Sequence, residues 1–167
     1  SHGVNRGKLK RDKEDERHNF ITDLIDFCPN IIFDIYGYKN REPVWADDFY
    51  KVIVNSKMAL NLSRGKPLKY LTSNRIASLI GNGLLTFIDK KTKLDNFFNS
   101  NEVIFYKNLK DLAEKLNYFK SNDKRRMQIA RNGRKKYFDL FECQKVSDYI
   151  VSKSFDRKPN KKIIWME

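Results

Sequence analysis

SKMALNLSRGKPLKYLTSNRIASLIGNGLLTFID, residues 56–89, is the stretch that decides the fold. It opens on a short apolar strand, 57–62. A polar, basic loop follows, carrying Ser63, Arg64, Gly65, Lys66 and Lys69. Ser73 and Asn74 have side chains that accept from the free N–H groups of a helix start, so they cap a helix led by Arg75. Gly81, Asn82 and Gly83 stop that helix, because glycine takes up the left-handed turn that ends one. A second apolar strand, 84–88, leaves the turn. The unit is strand, loop, helix, strand. Its loop runs into a helix N-terminus, where free N–H groups and the helix dipole attract anions.

The pattern continues downstream. Residues 93–98 read as a short helix, and 102–106, EVIFY, as the next strand. Asn108 caps a helix with Leu109, Leu112, Leu116 and Phe119 at helical spacing. Ser121 and Asn122 break the helix and recap it. The long helix that follows sets Met127, Ala130, Tyr137 and Phe141 on one face. A last helix carries Val146, Tyr149, Ile150 and Phe155.

Upstream, 13–27 reads as a helix with apolar Phe20, Ile21, Leu24, Ile25 and Phe27. Acidic Asp12, Glu14, Asp15 and Glu16 near its start suit the helix dipole. Pro29 and Asn30 end it. IIFDIY, 31–36, is a nearly continuous apolar run, the pattern of a strand buried on both faces of a parallel sheet. A loop, 37–43, precedes a short helix over 44–54 with Trp45, Phe49 and Val52.

Strands alternating with helices predict an α/β fold: a Rossmann-like, doubly wound parallel sheet with long C-terminal helices. Such sheets open on a strand, yet this sequence opens on a loop and a helix. Either Val4 contributes a stub, or the first strand lies in a parent protein upstream. Ser1 to Gly3 reads as a tag remnant, 4–154 as the domain, and 155–167 as a basic tail.

The 167 residues are enough for one domain with a sizeable core. The formal net charge of +13 calls for an anionic partner: nucleic acid, an acidic membrane surface or a phosphorylated ligand. No apolar run approaches the ~20 residues of a membrane helix, and no signal peptide is visible. The expectation is a cytoplasmic protein, held peripherally at an inner membrane face at most. Cys28 and Cys143 lie far apart, without metal-type spacing, and read as buried free thiols.

Several chemistries find no footing. There is no Gly-x-Gly-x-x-Gly fingerprint and no phosphate loop ending in Gly-Lys-Ser/Thr. The two histidines, His2 and His18, sit in the tag and in a charged helix start, which disfavours a histidine triad or metal site. Asp34, Asp47 and Asp48 have no acidic partner placed for acid/base work. The cations are better placed. Arg6, Lys8, Lys10 and Arg11 occupy the first loop, and Arg64, Lys66, Lys69 and Arg75 the loop and helix start. In a parallel sheet both loops meet at the carboxyl edge of the strands, where ligands bind. A third set, Lys124, Arg125, Arg126, Arg131, Arg134, Lys135 and Lys136, lines one helix. It reads as a wet face, or as a grip on nucleic-acid phosphates or an anionic bilayer.

NLS (61–63), SNRIASLIGNGLLTFID (73–89), FF (97–98), EVIFYKNLKDLAEKLNYF (102–119) and RRMQIARNGRKKY (125–137) together resemble the carboxyl-terminal half of GT-B glycosyltransferases. Within that group the likeness is to group 1, CgeB-like members. These have a strand ending in Asn, an Arg-led helix closing at a Gly, and a later Ile-Ala-x-x-Gly helix, here 129–133. The likeness covers residues 4–152.

The resemblance implies a Rossmann-like domain that binds a nucleotide-sugar donor, so that 56–89 is half of a nucleotide-sugar site. It implies an amino-terminal acceptor domain, a cleft between the two, and no bound metal or other cofactor. Any general base would come from that other domain. Arg75 matches the arginine at the helix start and Asn61 the strand-end asparagine; Arg6 and Lys10 match the early basic loop by position. The diphosphate site is thus expected from Arg6, Lys10, Asn61, Ser63, Arg64, Ser73, Asn74, Arg75 and Ser78. Members of the group usually carry a glutamate where this chain has Ser78, so the hold on the ribose differs. The implied activity is transfer of a hexose-type sugar to a glycan or lipopolysaccharide-type acceptor in cell-envelope polysaccharide synthesis. The alternatives are a basic nucleic-acid-binding domain, or a non-catalytic domain that docks a partner.

Overall fold

The computed structural model of the protein describes residues 17–38, 41–63, 65–159 and 163. In chain order the elements are α1 (Arg17–Phe27), α2 (Ala46–Val54), β1 (Met58–Asn61), α3 (Asn74–Gly81), β2 (Leu85–Asp89), β3 (Ile104–Tyr106), α4 (Leu109–Ser121), α5 (Asp123–Phe141) and α6 (Cys143–Ser154). The three strands form one parallel sheet in the order β1-β2-β3. Leu60 stands beside Phe87, and Phe87 beside Ile104.

The apolar runs at β2 and β3 have the composition of strands covered on both faces, and both faces are covered. Leu85, Phe87, Ile104 and Tyr106 point to one core, closed by Leu24 of α1 and by Leu112, Leu116 and Phe119 of α4. Ile88 and Phe105 point the other way, onto Ile76 and Ile80 of α3 and Leu140 of α5. The sequence-based α/β expectation holds: a parallel sheet lies between helical layers, with long helices closing the chain.

Local signals set the element ends. Asn108 accepts a hydrogen bond from the Asp111 N–H, 2.9 Å, while Asp111 accepts from the Lys107 N–H, 2.8 Å. Side chain and backbone thus satisfy each other across the first turn of α4. At the end of α3, Gly83 takes φ +77°. Its N–H reaches Ile80 O, and the Leu84 N–H reaches Leu79 O. These two hydrogen bonds to the last turn close the helix and turn the chain into β2.

Four sequence-based expectations are corrected. The run 31–36 forms no strand: it has no ladder partner among the described residues, and Ile32 is 92% exposed. An apolar pattern cannot make a strand without a neighbouring edge to bond to. The helix expected over 93–98 is instead two three-residue 3-10 turns, Lys90–Thr92 and Leu94–Asn96, split at Lys93 with φ 57°. On α5 the inward residues are Ile129, Ala130, Gly133 and Leu140, whereas Met127 faces solvent. Cys28 is buried as expected, but Cys143 is exposed at the start of α6. The expected start of the first helix at Lys13 lies outside the described residues. No helix among them is long and apolar enough to cross a membrane.

Candidate functional site

The carboxyl edge of the sheet is where β1 ends at Asn61, β2 at Asp89 and β3 at Tyr106. Asn61 is buried. From it the chain runs through Leu62 and Ser63 to the start of α3. Ser73 is the cap residue there, with extended backbone, and its side chain makes no bond to the helix. Ser73 and Asn74 are exposed, so the helix start faces solvent without a side-chain acceptor. Free N–H groups in that position favour an incoming anion.

Arg75 lies just inside the helix start and turns back under the strand. Its Nη1 donates to Leu62 O, tying α3 to the end of β1. Its Nε–H is buried and has no acceptor among the described residues. Burial, followed by the charge of Arg17, pushes the Arg75 pKa down. Both causes act against the cation, and a guanidinium keeps its proton regardless. An anion beside it would relieve both.

Arg17 is the residue that sequence reading missed. It opens α1 and is buried together with Ile21 and Leu24. The signal was present: positions 17, 21 and 24 share one helix face, so a cation sat on the apolar side. A buried arginine needs compensating partners, and its charge is near enough to act on Arg75.

Tyr106 completes the edge. Its hydroxyl is buried without a partner among the described residues. Burial, then the Asp89 carboxylate on the adjacent strand, push its pKa upward, so it stays a neutral donor. Asp89 itself accepts from the Lys91 N–H, 2.8 Å.

Of the sequence-based site residues, Asn61, Ser63, Ser73, Asn74 and Arg75 fall along the path from the end of β1 to the start of α3. Ser78 lies one turn further on, its hydroxyl donating to Asn74 O at 3.0 Å. Arg6, Lys10 and Arg64 lie outside the described residues. Asp34, set aside as an acid/base candidate, pairs at the surface with Arg41 at 2.8 Å. Among the described residues no three His, Cys, Asp or Glu side chains gather as a metal site.

A family model described as glycosyl transferase-like matches residues 15–152. The chain belongs to the glycosyl transferase-like family. The match takes in every strand among the described residues, α1 to α5 and most of α6, so the carboxyl edge described above is a feature of a glycosyl transferase-like domain. No curated protein and no solved structure matches the chain.

Proposed function

We propose that this glycosyl transferase-like domain binds the nucleoside diphosphate sugar donor, with the diphosphate at the carboxyl edge of the sheet. The observation that carries the reading is the buried Arg75 Nε–H, without an acceptor among the described residues, in a cavity that Arg17 also lines, beside the open start of α3. Two guanidiniums lining one cavity favour a doubly charged anion, and helix N–H groups add to the attraction. In glycosyl transfer the nucleoside diphosphate leaves as negative charge develops on its bridging oxygen. Fixed cations there stabilise the transition state.

Within this reading Asn61, Ser63, Ser73 and Asn74 supply neutral hydrogen bonds around the phosphates, joined by Arg6, Lys10 and Arg64. The domain corresponds to the carboxyl-terminal, donor-binding half of a GT-B enzyme of the CgeB-like group. Its acceptor-binding half and general base come from another domain, and its product is a surface glycan or lipopolysaccharide. A lone domain of this kind binds donor without turning it over.

A second reading, nucleic-acid binding, is favoured by one feature. Lys124, Arg131, Lys135 and Lys136 of α5 make no ion pair or hydrogen bond among the described residues. Thermal melting with UDP, GDP, CMP and a short DNA duplex separates the two. A ligand at ~100 times its Kd stabilises by ~2.7 kcal/mol, roughly 5–10 °C at this size. The donor reading expects a shift with one nucleoside diphosphate, lost in Arg17→Gln. A shift with DNA alone, abolished by high salt, would replace it with the second reading.

A further inference from the structure

Tyr70 has a positive φ of 59°. It is the third residue of a turn that closes with the Leu71 N–H on Leu68 O. Glycine or asparagine normally takes that place when φ is positive. A bulky residue persists in such a conformation only where its surroundings hold it, and strained residues of this kind gather where ligands bind. The surroundings of Tyr70 do hold it. Its N–H donates to Thr92 O at 2.8 Å. Its hydroxyl accepts from the Asn96 amide at 2.6 Å. Its ring meets that of Phe97 edge to face, with centroids 5.2 Å apart. Lys69 covers the same ring, its Nζ 4.7 Å from the centroid.

The partners show what is being joined. Tyr70 belongs to the loop that leaves β1, whereas Thr92, Asn96 and Phe97 belong to the segment that leaves β2. Thr92 is buried, and its hydroxyl donates to Asp89 O at the end of β2. Phe97 packs on the core that holds Ile76 and Ile80 of α3. One side chain thus fastens together the loops that follow two adjacent parallel strands, at the edge where such loops hold ligands. Leu71 and Thr72 alone separate Tyr70 from Ser73, the cap residue of α3. So short a link leaves the chain little choice of direction as it enters the helix. On the other side, Arg75 ties α3 to Leu62 O, just past the end of β1. The helix start is therefore held from both strand ends.

We infer that Tyr70 is a positioning residue. It latches the loop after β1 to the segment after β2, and so sets the direction of Arg75 and of the free N–H groups of α3 toward the bound anion. That role rests on the diphosphate reading given above, whereas the latch itself does not. A site whose competent arrangement is only fractionally populated binds more weakly by that same fraction. Releasing the latch should therefore cost affinity without touching any group that meets the anion. The Tyr70 ring is 39% exposed, so its removal opens the latch and spares the buried core.

The test compares the parent with Tyr70→Asn, Tyr70→Gly and Tyr70→Phe. Asn and Gly both accept the positive φ and lack the ring. Phe keeps the ring and loses only the hydroxyl. Amide hydrogen exchange is read without ligand in a fragment covering 69–77, and inorganic pyrophosphate is titrated calorimetrically at physiological salt. Exchange should be about tenfold or more faster in Tyr70→Asn and Tyr70→Gly, and pyrophosphate binding about tenfold weaker. Tyr70→Phe should stay within about threefold of the parent in both. Saturating pyrophosphate should return much of the lost protection to the Asn and Gly variants, because the anion then holds the helix start. Unchanged exchange in those variants would overturn the latch, whatever the ligand. Faster exchange and a lower Tm with pyrophosphate affinity equal to the parent's would make Tyr70 structural only, overturning the positioning role and leaving the diphosphate reading in place. No binding of pyrophosphate by the parent would remove that reading and the positioning role together.

Discussion

A Cβ atom on Gly133 would stand 2.1 Å from the backbone oxygen of Glu102. The helix α5 therefore lies against the turn before β3 at a distance only glycine permits. Asn132 fixes the same approach by donating to Asn101 O at 3.1 Å, and Arg125 donates to the Asn101 side chain. Gly133 is the final glycine of the Ile-Ala-x-x-Gly run, and its role here is packing.

Gly133→Ala tests that contact. In an open helix the change would gain up to ~1 kcal/mol in helix propensity. Here the methyl meets a backbone carbonyl that cannot rotate away, and overpacking costs typically ~1–3 kcal/mol or more. The expected net loss is about 2 kcal/mol, a fall in Tm of roughly 4–8 °C. A melting temperature equal to or above that of the parent would show that α5 does not sit this close.

The cap of α4 carries a pH dependence. Burial raises the Asp111 pKa, but hydrogen bonds from Lys115 and from the Lys107 N–H outweigh it, and the net shift is downward. A carboxyl with a folded pKa below its unfolded value of about 3.9 stabilises the fold above that value. The contribution fades as pH falls through the folded pKa. Asp111→Asn should therefore melt below the parent at pH 7, by about 0.5–1 kcal/mol for a cap of this kind. The gap should close as pH falls below the unfolded value and through the lowered folded pKa. A gap that stays constant with pH would refute the ionic part of the cap.

The two thiols should behave differently. Cys143 is exposed, while Cys28 is buried under α4 and its pKa is raised, first by burial and partly offset by a hydrogen bond from Asn117. Reaction with iodoacetamide at pH 8 should label Cys143 alone in the folded protein, and Cys28 only on unfolding. Mass spectrometry of digested samples reads this directly. Rapid labelling of Cys28 under native conditions would contradict the packing of α1 on α4.

Much of the fold could be read from the chain because its decisive signals are local. The Gly81-Asn82-Gly83 stop, the Asn108 cap and the apolar runs at β2 and β3 each act within a few residues, and each appears where the sequence places it. The stretch 31–36 failed for the opposite reason. A strand is a pairing, and the apolar pattern says nothing about whether a partner edge is present. The site was legible in part. Arg75 stood out through its place after a cap, but its turn inward to Leu62 O depends on tertiary packing. Arg17 was hidden in a charged segment, although its helical register with Ile21 and Leu24 marked it. Met127 was misassigned because one face of a helix was read as buried along its whole length, and Cys143 because the lack of a metal-type spacing says nothing about burial.

Tyr106→Phe tests the buried hydroxyl at the end of β3. The hydroxyl is buried and unpartnered among the described residues, and an unsatisfied buried group costs ~1–3 kcal/mol. Its removal should leave Tm unchanged or raised. A fall in Tm would show instead that the hydroxyl has a structural partner.

Calorimetric titration with inorganic pyrophosphate shows whether the edge that carries Arg17 and Arg75 binds a diphosphate group. Arg75→Lys preserves the positive charge, and Arg17→Gln removes one cation while the Arg75 tie to Leu62 O remains. The expected result is saturable binding of pyrophosphate by the parent at physiological salt, weakened about tenfold or more in Arg17→Gln and less in Arg75→Lys. Equal binding by all three proteins, or none by the parent at millimolar pyrophosphate, would contradict it.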